Sequence, residues 1–106
     1  MKFKTKVKEI TPSEVLEILK RGGERNFIDV REGEEIAQGK IPGAQHIPLG
    51  ELKNRLHEIE KEKEHIVVCR SGNRSGKAAE YLKNKGYEVL NLTGGMMDWT
   101  GDLEKE

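Results

Sequence analysis

The chain contains one cysteine, Cys69, followed directly by Arg70, Ser71, Gly72, Asn73, Arg74 and Ser75. A thiol attacks as the thiolate. A free cysteine has a pKa of about 8.5, and a helix N-terminus or neighbouring cations lower it by one to several units. Both influences are near Cys69 in the sequence. The residues before it, Ile66 to Val68, read as a strand, and the pattern from Asn73 onward reads as a helix. The first N–H groups of a helix lack partners and carry the positive end of its dipole. Gly72 and Gly76 permit a tight curl, so successive amides can face inward as an anion nest. Arg74 can reach the same space, and Arg70 can face either that space or solvent. Such a cradle would stabilise both a thiolate and a bound oxyanion. The alternative is an inert cysteine packed as a small hydrophobe. Two arginines and two glycines within the seven residues after the thiol favour the reactive reading.

The surrounding elements must hold that loop. A short strand is expected in Lys6 to Ile10. A helix follows, with Thr11 as N-cap, Pro12 in the first turn, Glu14 closing a capping box, an apolar stripe of Val15, Leu16 and Leu19, and Gly22 as the stop. Asn26 to Val30 is a short buried strand, residues 31–39 form at best a short helix, and residues 40–49 are loop with a brief extended piece near His46 to Pro48. Residues 50–64 read as an amphipathic helix through Leu52, Leu56 and Ile59. The segment from His65 to Cys69 is the most strand-like of the chain. The next helix presents Ser75, Ala79, Leu82 and Gly86 on its inner face. Tyr87 to Leu92 is a further strand, and Thr93 to Trp99 a glycine-led turn. Strands alternating with helices imply an α/β fold with a mainly parallel sheet of about five strands between helices. Ligands of such sheets bind beyond the carboxyl ends of the strands. Asp29 to Arg31, Cys69, and Gly94 with Gly95 all fall there.

Composition narrows the classes of function. The chain of 106 residues suits one domain, 1–106 with a core of about 5–100, and one hydrophobic core. Nineteen basic and nineteen acidic residues cancel, so no global field recruits nucleic acid or a membrane. No apolar run approaches the roughly 20 residues that span a bilayer. The N-terminal MKFKTKVKEI has charge but no apolar core of a secretion signal. A single cysteine forms no intramolecular disulfide and no cysteine-rich zinc site, and a cytoplasmic location follows as the default.

Three ordered segments resemble the rhodanese-like family in its single-domain form. The first, FIDVREGEEIAQGKIPGAQHIPL, carries Asp29, Val30, Arg31, Glu35, Gly39, Lys40, Ile41, Pro42, Gly43, Ala44, Ile47 and Pro48. The second is the Cys69 loop, IVVCRSGNRS, and the third is GYEVLNLTGGMMDW, with Gly94, Gly95 and Trp99 in order. Lys40 departs from the pattern, standing where the family usually has histidine. The resemblance implies a three-layer rhodanese-like sandwich and transfer of sulfane sulfur through a cysteine persulfide. Cys69 would be the nucleophile, and thiosulfate or another persulfide the donor. A thiophilic acceptor such as cyanide or a protein thiol would collect the sulfur, with no metal or organic cofactor. Arg70, Ser71, Gly72, Asn73, Arg74 and Ser75 would line the pocket, mostly through backbone amides, with Arg74 the better candidate for contacting the substrate anion. Asp29, Arg31 and Glu35 would be structural, Arg31 pairing with an acid for which Glu35 is the candidate.

The resemblance also frames the alternatives. Related phosphatases and arsenate reductases place five residues between cysteine and arginine. Here Arg74 leaves only four, and the next position is Ser75. The smaller ring favours sulfur over phosphate. A sulfur carrier or regulatory module with little turnover is the other reading. His46 is expected to be loop packing, His57 and His65 solvated, and Met96, Met97 and Trp99 packing or pocket wall.

Overall fold

The computed structural model describes residues 6–105. The first five residues of the N-terminal segment read above therefore lie outside the described residues. Five strands form one sheet: β1 (Lys8–Ile10), β2 (Asn26–Asp29), β3 (Gln45–His46), β4 (Glu64–Val68) and β5 (Glu88–Leu92). Their order is β1-β5-β4-β2-β3 and every pairing is parallel. The central position falls to β4, so the cysteine follows the middle strand of the sheet. Three α-helices accompany the sheet: α1 (Pro12–Lys20), α2 (Gly33–Ile36) and α3 (Asn73–Asn84). Two 3-10 segments, Leu49–Glu58 and Gly95–Asp98, complete the elements of the described residues.

Side-chain alternation along the strands splits the core into two apolar layers. On one face Ile28, Val67, Cys69 and Val89 pack with Ala78, Ala79 and Leu82 of α3, and with Leu52 and Ile59. On the other face Phe27, Ile66, Val68 and Leu92 pack with Val15 of α1, and with Ile41, Met96 and Trp99. The α1 capping box is present, with the Glu14 N–H donating to Thr11 Oγ1 at 3.1 Å and Thr11 N–H to Glu14 Oε1 at 2.9 Å.

Two elements differ from their reading in the sequence. The helix expected over residues 50–64 is a 3-10 segment that ends at Glu58 and kinks at Arg55, where φ is −123°. Arg55 is drawn to Glu51 and Glu58 together, and Leu52 and Ile59 still reach the core. The four charged residues 60–63 have no apolar side to bury, and they form a turn. Gly86 is not on the inner face of α3. It lies beyond the helix end with φ +93°, and Ala78 takes the buried place. His65, expected in solvent, is buried, with Nε2 2.7 Å from the Glu60 carbonyl oxygen.

Candidate active site

Strand parity decides where the thiol points. Ile66 and Val68 face the α1 side, so Val67 and Cys69 face α3. Cys69 is fully buried and sits at the head of that helix. Gly72 is the residue before α3 and adopts φ +102°, a left-handed conformation that favours glycine. There its N–H donates to Cys69 Sγ at 3.0 Å. Burial alone would push the thiol pKa up. The Ser75 hydroxyl, followed by the main-chain N–H groups of Ser75, Gly72 and Ser71, outweighs that effect and holds the thiol below its ordinary value. The hydroxyl has a single proton and also lies 2.5 Å from Asn91 Oδ1. The amides therefore serve the sulfur steadily, while the hydroxyl is divided between two acceptors.

Asn91 had no part in the sequence reading. It shares the α3-facing parity of Val89, is buried, and donates from Nδ2 to the Gly72 carbonyl at 3.1 Å. With Ser75 it pins the first turn of α3 to β5. Its only signal in the sequence is a polar residue inside the apolar run Val89 to Leu92. A second support comes from the closing turn. Met96 N–H donates to the Cys69 carbonyl and Met97 N–H to the Arg70 carbonyl, both at 2.9 Å. Gly95 is required for that approach, because a Cβ there would run into both carbonyl oxygens.

The arginines are distributed differently from the expectation. Arg31 pairs with Asp29 rather than with the Glu35 carboxylate. Its Nε and Nη2 lie 3.0 Å from the two Asp29 oxygens, and Nη2 also donates to the Gly39 carbonyl at 2.9 Å. Both residues are buried, and only the backbone oxygen of Glu35 touches Arg31. Asp29 is the acid that can follow Arg31 into the interior, because it ends β2 two residues earlier. The Glu35 carboxylate instead receives two bonds of 2.8 Å from Arg74. That ion pair holds the Glu35 carboxyl at a pKa of about 2. Arg74 is thereby tied across the loop mouth to α2 and already neutralised. Arg70, Ser71 and Asn73 are exposed. The Arg70 guanidinium has no ion pair or hydrogen bond among the described residues.

Lys40 is buried and donates from Nζ to the Ala44 carbonyl at 2.9 Å, with Glu104 at 3.6 Å. It thus closes the turn at 40–44 in the position of the missing histidine. His46 Nε2 lies 2.7 Å from the Arg31 carbonyl, a contact that needs the proton on that nitrogen and leaves the ring as loop packing. A cavity of about 640 Å³ between α1 and residues 99–102 contains no residue of the Cys69 loop. A smaller one of about 360 Å³ opens beside the loop, walled by Arg31, Glu35, Gln38, Arg70, Met96 and Met97.

Comparison with known proteins identifies the family of the chain. Residues 11–102 match the model of the rhodanese-like domain. The chain is similar to a Bacillus subtilis protein named "Putative sulfurtransferase YtwF", with 40% identity over 98 residues that cover 92% of this chain and 95% of that one. It is also similar to the thiosulfate sulfurtransferase GlpE of Pseudomonas putida, with 31% identity over 100 residues, 93% of this chain and 90% of that one. The crystal structure of a rhodanese-like domain protein from Staphylococcus aureus superposes with a TM-score of 0.88 at 36% identity, covering 94% of this chain and 99% of that one. No helix among the described residues is long and apolar enough to cross a membrane. With a thiol cradled by amides at the carboxyl edge of a parallel sheet, and with relatives that match nearly end to end, the chain belongs to the rhodanese-like domain family.

Proposed function

We propose that this protein is a sulfurtransferase that carries sulfane sulfur as a persulfide on Cys69. The Cys69 thiolate attacks the outer sulfur of thiosulfate or of a persulfide donor. A new S–S bond forms, and the donor's own bond to that sulfur breaks. The electron pair leaves with sulfite or with the donor thiolate. In the second half-reaction a thiophilic acceptor attacks the outer sulfur, and Cys69 departs as thiolate. Two half-reactions through one covalent intermediate give ping-pong kinetics.

The observation that carries this reading is the 3.0 Å bond from Gly72 N–H to Cys69 Sγ at the head of α3. Donors already aimed at the sulfur stabilise charge without reorganisation during the reaction. Thiolate and persulfide are both anions, so one cradle serves both. Because Sγ is buried, the slim terminal sulfur of a donor reaches it more readily than a phosphate with four substituents. A reducing compartment such as the cytoplasm fits the function, because it keeps the lone cysteine a thiol.

Intact mass after incubation with thiosulfate tests the proposal. The wild type should gain about 32 mass units, one sulfur atom, and Cys69→Ser none. An unmodified wild type would overturn it. Thiocyanate formed from thiosulfate and cyanide distinguishes turnover from a carrier role, and an aryl phosphate should not be hydrolysed.

A further inference from the structure

On that sulfur-transfer reading, we propose that Arg70 rather than Arg74 selects the acceptor, and that the acceptor is a small organic thiol carrying a carboxylate. Three observations converge on this assignment. First, the other two arginines near the loop are spent. Arg31 is bound to buried Asp29, and Arg74 is held by both oxygens of Glu35. Second, Arg70 directly follows the nucleophile, is exposed, and its guanidinium is unpaired among the described residues. Third, Arg70 is one wall of the cavity of about 360 Å³ beside the loop, and Met96 and Met97 are another. Met97 is 64% exposed although it is a large apolar side chain.

A cavity of this size is in the range used by small organic ligands and exceeds what an inorganic anion fills. An uncommitted cation on one side and flexible thioethers on the other fit a molecule with one anionic end and a short carbon chain. Such a thiol would rest its chain on Met96 and Met97 and its carboxylate on Arg70, with its sulfur directed at the loop. As it reacts, its thiolate sulfur bonds the outer sulfur of the persulfide. The bond to Cys69 Sγ breaks with the electron pair remaining on Cys69. The acceptor leaves as a persulfide, and its original thiol proton has gone to solvent.

Two probes that differ in one terminal group test this: 3-mercaptopropionate, which is anionic, and 2-mercaptoethanol, which is neutral. Protein loaded to completion with thiosulfate is mixed with each, and the loss of the added sulfur is followed by mass. The ratio of wild-type to variant rate is compared between probes, so the intrinsic nucleophilicity of each thiol cancels. Arg70→Gln should slow the anionic probe about three- to five-fold more than the neutral one, as expected for a solvent-exposed arginine–carboxylate contact. Arg70→Glu should widen that difference, and added salt should shrink the wild-type preference. Equal effects on the two probes, or none, would overturn the assignment while leaving sulfur transfer intact. If the wild type never takes up sulfur, the proposed function fails and this inference with it.

Discussion

The loops after β2 and β4 leave the same edge of the sheet and are held by different means. After β2, side-chain charge does the work: Arg31 and Asp29 are buried together, and the guanidinium also grips the Gly39 carbonyl. After β4, main-chain amides surround a sulfur, and Arg74 is turned to a carboxylate on another element. The first loop spends its donors on its own carboxylate and carbonyl groups. The second keeps its main-chain donors aimed at the Cys69 sulfur. Asp29, Arg31 and Glu35 lie a few residues apart in the chain's first signature, yet only the Arg31–Asp29 pair belongs to the interior, and Glu35 pairs with Arg74 from the second loop. Side-chain exposure is 7% and 0% for Arg31 and Asp29, against 34% and 27% for Arg74 and Glu35.

The most severe break of this contrast is Arg31→Met. It strands a buried carboxylate, and a loss of about 3–5 kcal/mol is expected in urea unfolding. The thiol of the remaining folded protein should keep its alkylation profile, because Arg31 does not contact the sulfur. Gly72→Ala acts on the other loop. An L-residue at φ +102° costs about 1–2 kcal/mol, and the new Cβ would stand 3.3 Å from the Gly94 nitrogen. Here sulfur loading should slow as well, since the N–H that faces Sγ shifts; unchanged loading kinetics would argue that this amide is not part of the machinery.

Glu35→Gln is the mildest change and sharpens the comparison most. The pair is partly exposed, so about 0.5–1 kcal/mol of stability is expected to go. Arg74 then keeps an uncompensated charge near the sulfur, and the thiol pKa should fall further. The pH dependence of iodoacetamide alkylation reads that shift. The same carboxylate sets an acid response. Its folded pKa of about 2 lies below the unfolded value of about 4.3. The stability it contributes is therefore complete above the unfolded value and disappears as pH falls through the window down to about 2. The Gln variant should lack that part of the acid sensitivity, as followed by unfolding at stepped pH.

Local signals were legible in the sequence. Thr11, Pro12 and Glu14 announce α1, and the β-branched run ending at Cys69 announces the central strand with the thiol at its end. Pairings across the chain were harder. Glu35 stands four residues from Arg31, but the intervening residues do not form one continuous helix, so spacing did not determine the partner. The actual partners, Asp29 for Arg31 and Arg74 for Glu35, depend on which side chains the sheet edge and α2 bring together. Asn91 was hidden for the same reason. Its importance lies in the carbonyl of Gly72, nineteen positions away. The helix read over residues 50–64 failed because periodic leucines define a buried stripe without deciding between tight and ordinary winding.

The bond from Met97 N–H to the Arg70 carbonyl has a geometric corollary. In a trans peptide the C=O and the following N–H leave opposite edges of one rigid plane, and no cis bond occurs among the described residues. Anchoring that oxygen toward the chain's last turn therefore swings the Ser71 hydrogen to the far side, where the sulfur lies. Through its main chain, the glycine-led turn at residues 94–97 sets the polarity of the loop by keeping carbonyl lone pairs facing away from the Cys69 sulfur.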